Sequence, residues 1–425
     1  MKGRRGQIAR MTVTVLALVA GCSGDAALAQ TPASTTTDAA AITRGAQLAA
    51  IGGCISCHTA TNGRPFAGGQ PLHTPYGVIY STNITPDKDT GIGDWSLDAF
   101  TRAMRRGVSR DGHLLYPAFP YPHFTHMSDG DIAAIHAWLM TREPVDAHAP
   151  KNDLHFPLGI RPLMAVWNHL YLHPGQEEPA SASADAQIAR GRYLVDSLGH
   201  CGACHTPLNR LGAEQQDHAL QGGTIEGWDA PALTDLLTRP KPWTQAQLVG
   251  YLRTGFASEH GAAAGPMRPV SRLLADASAA DVQAIAAYLI AVQPEAQPPA
   301  ENRASAPVSR VGMAIRSGNG EKLFGAACAS CHGEGAGTSS GSDHPSLSLG
   351  TAVNADSPRN MVRIMLGGID WEGSAATRFM PPFAQTFTDA QIAELANYTR
   401  TRFTARGPWP SLDADTVARL RKESP

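Results

Sequence analysis

The chain has 425 residues and a formal charge of −2, from 35 Lys and Arg against 37 Asp and Glu. That balance offers no electrostatic case for nucleic-acid binding. The length allows two to four domains, and 42 Gly with 31 Pro point to small units wrapped in loops.

At the N-terminus, Lys2, Arg4, Arg5 and Arg10 precede an apolar run from Met11 to Ala20. This is the pattern of a secretory signal peptide, too short for a permanent membrane span. Two processing sites compete. Val19-Ala20-Gly21-Cys22 resembles a lipobox that would leave an acylated Cys22, and Ala27-Leu28-Ala29 is a small-x-small cleavage site. Ordinary cleavage, giving a signal over 1–29, is preferred. Either route predicts a mature protein outside the cytoplasm, periplasmic and associated with the outer face of the inner membrane.

A five-residue stretch then occurs three times: Cys54-Ile55-Ser56-Cys57-His58, Cys201-Gly202-Ala203-Cys204-His205 and Cys328-Ala329-Ser330-Cys331-His332. Cys-x-x-Cys-His is the attachment signature of haem c. Two thiols form thioethers to the porphyrin, and the adjacent imidazole ligates the iron. The competing readings are a zinc half-site and a redox dithiol. Six of the seven cysteines lie in the motifs and the seventh, Cys22, lies in the signal, so zinc has no further thiolates. A redox dithiol has no need of a following histidine. The sequence therefore predicts three covalently bound haems c, on Cys54/Cys57, Cys201/Cys204 and Cys328/Cys331, with His58, His205 and His332 as iron ligands.

Each motif has the same surroundings. A Gly-x-x-Leu element opens a helix before it, at Gly45, Gly191 and Gly320. Downstream, capping boxes at Ser128/Asp131, Ser278/Asp281 and Thr388/Gln391 start another helix. These helices carry Ile132, Val282 or Ile392, then Ile135, Ile285 or Leu395, then Trp138, Tyr288 or Tyr398: one apolar face ending in a ring. Prolines and small polar residues mark the breaks. The predicted division is a domain over 40–145, a linker over 146–184, a domain over 185–292, a linker over 293–308, a domain over 309–405 and a tail over 406–425, with 30–40 as a small polar leader. The segment from Pro162 to Leu172 reads as a short helix between domains.

This arrangement resembles the class I cytochrome c domain, and it implies an all-α fold of three tandem domains with loop-rich insertions. Asn83-Ile84-Thr85-Pro86-Asp87, Gly91-Ile92-Gly93-Asp94-Trp95 and Tyr116-Pro117-Ala118-Phe119-Pro120-Tyr121 extend the resemblance. It is to the three-haem cytochrome c subunits of membrane-associated periplasmic dehydrogenases, over roughly residues 40–405. The family serves quinoprotein alcohol dehydrogenases, flavin-dependent sugar-acid and polyol dehydrogenases, and molybdenum-containing aldehyde and N-heterocycle oxidoreductases. The resemblance implies a non-catalytic electron carrier between a catalytic dehydrogenase subunit and quinone or the respiratory chain. The Tyr116–Tyr121 loop, continuing through Pro122-His123-Phe124-Thr125, is more like the molybdenum-hydroxylase branch. The resemblance also places a thioether ligand in a proline-bearing loop: Met267 for the second haem and Met380 for the third. In the first unit Phe119 stands where methionine is expected, leaving Met127, Met104, His123, His126 or no residue as sixth ligand. An open first haem would permit a second reading, peroxide reduction.

Overall fold

The computed structural model describes residues 35–175, 185–294, 318–333, 346–370 and 379–423. The export signal with Cys22 and nearly all of the second linker lie outside the described residues. Helix α1 (Thr35–Ile51) runs into a one-turn helix on the first cysteine pair, α2 (Cys54–Cys57). It begins inside the stretch expected to be a polar leader. The hairpin β1 (Pro71–Thr74) and β2 (Gly77–Tyr80) follows. Next come α3 (Leu97–Arg106), α4 (Tyr121–Phe124) and α5 (Asp129–Leu139). Ser96 and Ser128 cap α3 and α5 by accepting from free N–H groups of the first turn. The expected first linker is partly folded onto this unit. Its strand β3 (Asp153–Leu154) joins β2, with Asp153 opposite Val78, and α6 (Met164–Tyr171) comes next.

The second stretch repeats the order. Helix α7 (Ala186–Tyr193) passes through a π-helical turn, Leu194–Leu198, into α8 (Gly202–His205). The hairpin β4 (Gly223–Ile225) and β5 (Trp228–Ala230) precedes α9 (Gln245–Thr254). The two-residue strands β6 (Phe256–Ala257) and β7 (Gly261–Ala262), α10 (Met267–Leu274) and α11 (Ala279–Ala291) complete it. The third has α12 (Asn319–Ala327), α13 (Ala329–His332), α14 (Thr351–Asn354) and α15 (Arg359–Gly367). The paired strands β8 (Ile369–Asp370) and β9 (Phe379–Met380), α16 (Asp389–Phe403) and α17 (Ala414–Lys422) end the chain's described part.

About half of the described residues are helical and short sheets are present, a departure from the all-α expectation. The sheets are small and antiparallel, and they occur in the loops between crossing helices. Buried loop backbone must pair its N–H and C=O groups, and short ladders do this locally. Strands of two to four residues are too short to show a period-two pattern.

Each unit is built on one crossing. At Gly45 an added Cβ would stand 2.7 Å from the carbonyl carbon of Ala134 and 2.7 Å from Trp138 Cβ. At Gly191 the corresponding distances are 2.6 Å to Ala284 and 2.7 Å to Tyr288 Cβ. At Gly320 they are 3.2 Å to Glu394 and 2.8 Å to Tyr398 Cβ. The glycines let α1, α7 and α12 lie directly on the backbones of α5, α11 and α16. No other residue permits that approach.

The first two units share one continuous core. Leu48, Ile132 and Ile135 belong to the same cluster as Leu194, Leu198, Val282 and Ile285. Charges seal it, with both arginines nearer Asp281 than Asp131. Arg44 reaches Asp281 at 2.7 Å and Asp131 at 3.5 Å, while Arg190 reaches Asp281 at 2.9 Å and Asp131 at 3.6 Å. This explains why, of the three expected capping boxes, only Thr388 and Gln391 form the full reciprocal pair. Asp131 and Asp281 turn to the arginines instead, and the Ser128 N–H donates to the Tyr193 hydroxyl at 3.0 Å.

The third unit has its own core, and the expected tail is part of it. Trp409, Leu412, Val417 and Leu420 pack with Phe324, Ile392 and Leu395. Their apolar spacing is legible in the sequence but lies beyond the last repeat.

Candidate haem sites

All six motif cysteines are free thiols, none in a disulfide. The first and second pairs sit at one-turn helices that follow directly on the N-terminal helix of each unit, as does the third. Cys54 and Cys201 rest against the shared core and Cys328 against the third. Burial pushes the Cys54 and Cys201 thiols up to about 12, and those of Cys204 and Cys328 to about 11. At neutral pH these are protonated thiols. Among the described residues no group of three or more His, Cys, Asp or Glu side chains comes together to hold a metal ion.

The motif histidines are oriented from behind. His58 Nδ1 lies 2.6 Å from the Thr82 carbonyl, and His205 Nδ1 lies 2.7 Å from the Pro231 carbonyl. A carbonyl can only accept, so Nδ1 carries the proton and Nε2 keeps its lone pair. This is how a histidine is held for iron. Burial pushes both imidazoles below their ordinary value, against the opposing hydrogen bonds. They are therefore neutral, as ligation requires. His332 is half-buried at the end of α13. The residues present fit covalent haem.

Met267 opens α10 and packs on the shared core. The β4–β5 hairpin brings its loop and the second motif together. Gly222 donates to the His205 carbonyl at 2.8 Å, and Trp228 fills the space over Gly265, where an added Cβ would stand 2.7 Å from Nε1. Met380 lies in β9, opposite Ile369 of β8, and packs on the third core.

The first unit is different. Phe119 is half-buried, with its ring 5.4 Å from Phe124. Met127 is fully buried and Met104 is 6% exposed, both in the shared core. His126 is exposed. His123 is committed elsewhere: Nε2 lies 2.6 Å from Glu214 Oε1 and Nδ1 lies 2.9 Å from the Asp196 carbonyl. Both its ring nitrogens serve the junction with the second unit. Beside it, burial and the His123 charge push His200 down to about 4. His200 Nε2 lies 3.3 Å from the Gly52 carbonyl, so the residue before Cys201 touches the turn before Cys54. Sequence reasoning misses these junction groups, since no local pattern marks a partner 91 residues away.

Helix α6 bridges both units. Its Asn168 accepts from Tyr121 at 2.6 Å, and Trp167 Nε1 donates to the Leu211 carbonyl at 2.9 Å. Val166 and Leu170 of this helix are exposed, as are Phe156, Ile160 and Leu163 in the segment before it. Among the described residues no helix is long and apolar enough to cross a membrane.

Residues 317–398 match the family described as cytochrome c oxidase, cbb3-type, subunit III. Over 385 residues the chain is 46% identical to a nicotinate dehydrogenase subunit of Pseudomonas putida, covering 90% of this chain and 32% of that protein. It therefore spans about a third of the length of that relative. It is 36% identical over 404 residues to the fructose dehydrogenase cytochrome subunit of Gluconobacter japonicus, covering 89% of this chain and 82% of the relative. To the gluconate 2-dehydrogenase cytochrome c subunit of Pantoea cypripedii it is 36% identical over 439 residues, covering 97% and 96%. With covalent haem c implied by its motifs and its relatives alike, the chain belongs to the family of dehydrogenase cytochrome c subunits.

Proposed function

We propose that this chain is a three-haem electron carrier, taking electrons from a catalytic dehydrogenase subunit and passing them to quinone or the respiratory chain. Haem supplies a one-electron iron couple, and the protein tunes it through axial ligand, burial and hydrogen bonding. One observation carries the reading. The same glycine–aromatic helix crossing stands beside each of the three Cys-x-x-Cys-His motifs. Met267 and Met380 are the proposed sixth ligands of the second and third sites. The first is proposed to lack a methionine ligand, because Phe119 occupies its place.

The partner subunit is proposed to be of the molybdenum-hydroxylase type acting on an N-heterocycle. Identity is 46% to the nicotinate dehydrogenase chain against 36% to the sugar and sugar-acid ones. Secretion, from the N-terminal signal, puts the carrier in the periplasm, and the exposed apolar side chains of α6 and the segment before it suit attachment at the inner-membrane face. The peroxide-reducing alternative is not adopted, since the three relatives above are dehydrogenase subunits.

The test is mass spectrometry of the denatured, mature protein with spectra of the oxidised and reduced forms. Three haem additions and sharp reduced bands are expected. Two or fewer additions on fully matured material would overturn the three-haem reading.

A further inference from the structure

Helix α15 has no place in the haem motifs, yet it touches the loops of two sites. At its N-terminal end Asn360 grips the middle of β5 in the β4–β5 hairpin of the second unit. Its Nδ2 donates to the Asp229 carbonyl at 2.7 Å, and its Oδ1 accepts from the Asp229 N–H at 2.9 Å. This is the two-way pairing that a neighbouring strand would provide. Arg359 adds a bond to the Gly227 carbonyl at 3.3 Å, and the buried Arg363 lies over Trp228 at 5.6 Å. The gripped hairpin is the one that orients the second site. Its Pro231 end accepts from His205, and Trp228 fills the space over Gly265, two residues before Met267.

The C-terminal end of α15 holds the third site's loop. The carbonyls of Met365 and Leu366 accept from Phe383 and Ala384 at 2.9 and 3.3 Å. Directly after the helix, Ile369 pairs with Met380. Nine helical residues, on the order of 13 Å, therefore join the backbone behind His205 to the backbone around Met380.

We propose that α15 is a strut that sets the placement of the second haem relative to the third, and that Asn360 is its positioning residue. The proposal rests on the three-haem reading above. Electron transfer between fixed centres falls exponentially with their separation, and iron-bound imidazoles respond to the groups that orient them. A helix with one end in each ligand loop controls both. The paired amide does this without charge, so it is insensitive to the redox state it serves.

The experiment uses the exported, haem-loaded full chain. Haem count comes from mass spectrometry, the ligand field of each ferric haem from electron paramagnetic resonance, and internal electron redistribution from optical kinetics after pulse reduction. The second haem's signal is assigned by its change in Met267→Ala. Asn360→Ala should keep three haems, shift the second haem's resonance and slow redistribution about tenfold, the low end for removing an outer-shell partner. Asn360→Asp keeps the acceptor and loses the donor, and should fall between; it carries the test if the alanine variant does not accumulate. Leu412→Ala thins the third core without removing any bond to the hairpin and should leave the resonance and the rate unchanged. Three bound haems with a wild-type rate in both Asn360 variants would overturn the strut. So would equal slowing in Leu412→Ala. Fewer than three haems in the unmodified protein would instead overturn the reading beneath it.

Discussion

Replacing Gly191 by alanine should weaken the protein more than its chemistry suggests, and the structure sets the scale. An added Cβ would stand 2.6 Å from the Ala284 carbonyl carbon, with the carbonyl oxygen closer still, whereas ordinary contact begins near 3.4 Å. The obstacle is backbone, so α7 and α11 must part by about an ångström, an overpacking cost of about 3 kcal/mol. Alanine recovers about 1 kcal/mol of helix propensity. The net loss is about 2 kcal/mol, or roughly 4–8 °C in midpoint for a cooperative unit of this size. At Gly320 the carbonyl carbon is 3.2 Å away and the oxygen 2.7 Å, so the helices part less and the loss is smaller. Thermal unfolding of Gly45→Ala, Gly191→Ala and Gly320→Ala, followed by visible absorption and far-ultraviolet dichroism, gives the order. Gly191 and Gly45 should fall well below Gly320. A wild-type midpoint for Gly191→Ala, or the largest loss at Gly320, would refute the argument from helix approach.

Phe119→Met should add a sulfur-to-iron charge-transfer band and raise the first haem's potential, because a thioether favours ferrous iron; three methionine-ligated haems in the unmodified protein would defeat this. Asp281→Ala leaves Arg44 and Arg190 with Asp131 alone, at 3.5 and 3.6 Å, and should cost about 2 kcal/mol in urea unfolding, between exposed and buried pairs. Burial lowers the His123 pKa, but the Glu214 hydrogen bond and charge outweigh it, so the folded value is raised. Its contribution is therefore fully present below about pH 6.5 and lost as pH rises through the folded value. His123→Gln should flatten that part of the stability–pH curve, and an unchanged slope would count against the pair. If export ends in ordinary cleavage, N-terminal sequencing begins near Gln30 and Cys22→Ser changes nothing.

The parts of this molecule legible in the sequence are those whose cause is local. Cys-x-x-Cys-His needs five consecutive residues, and the crossing helices announce themselves by Gly45, Gly191 and Gly320 upstream and by caps and aromatic rings downstream. What is not legible depends on distant pairs. Nothing near Asp281 signals that Arg44, 237 residues earlier, will take its carboxylate. The carbonyls of Thr82 and Pro231 orient the histidines with no side-chain pattern to find. The strand Asp153–Leu154 is two residues long and exists only because β2 offers an edge. The 406–425 stretch reads as a tail because Trp409, Leu412, Val417 and Leu420 lie outside the threefold repeat, although they pack into the third core.

The two junctions between units differ in what holds them, and temperature should tell them apart. The first and second units share an apolar interior beside their ion pairs, and its cohesion fades on cooling because apolar hydration carries a large heat capacity. The third is held to the second through Asn360, Arg359 and Arg363, contacts of hydrogen bonds and charge. Charged groups are better hydrated in the cold and less so when hot, so such contacts hold up better as temperature rises. Cold should loosen the weld between the first pair before the clasp on the third, and heat should do the reverse.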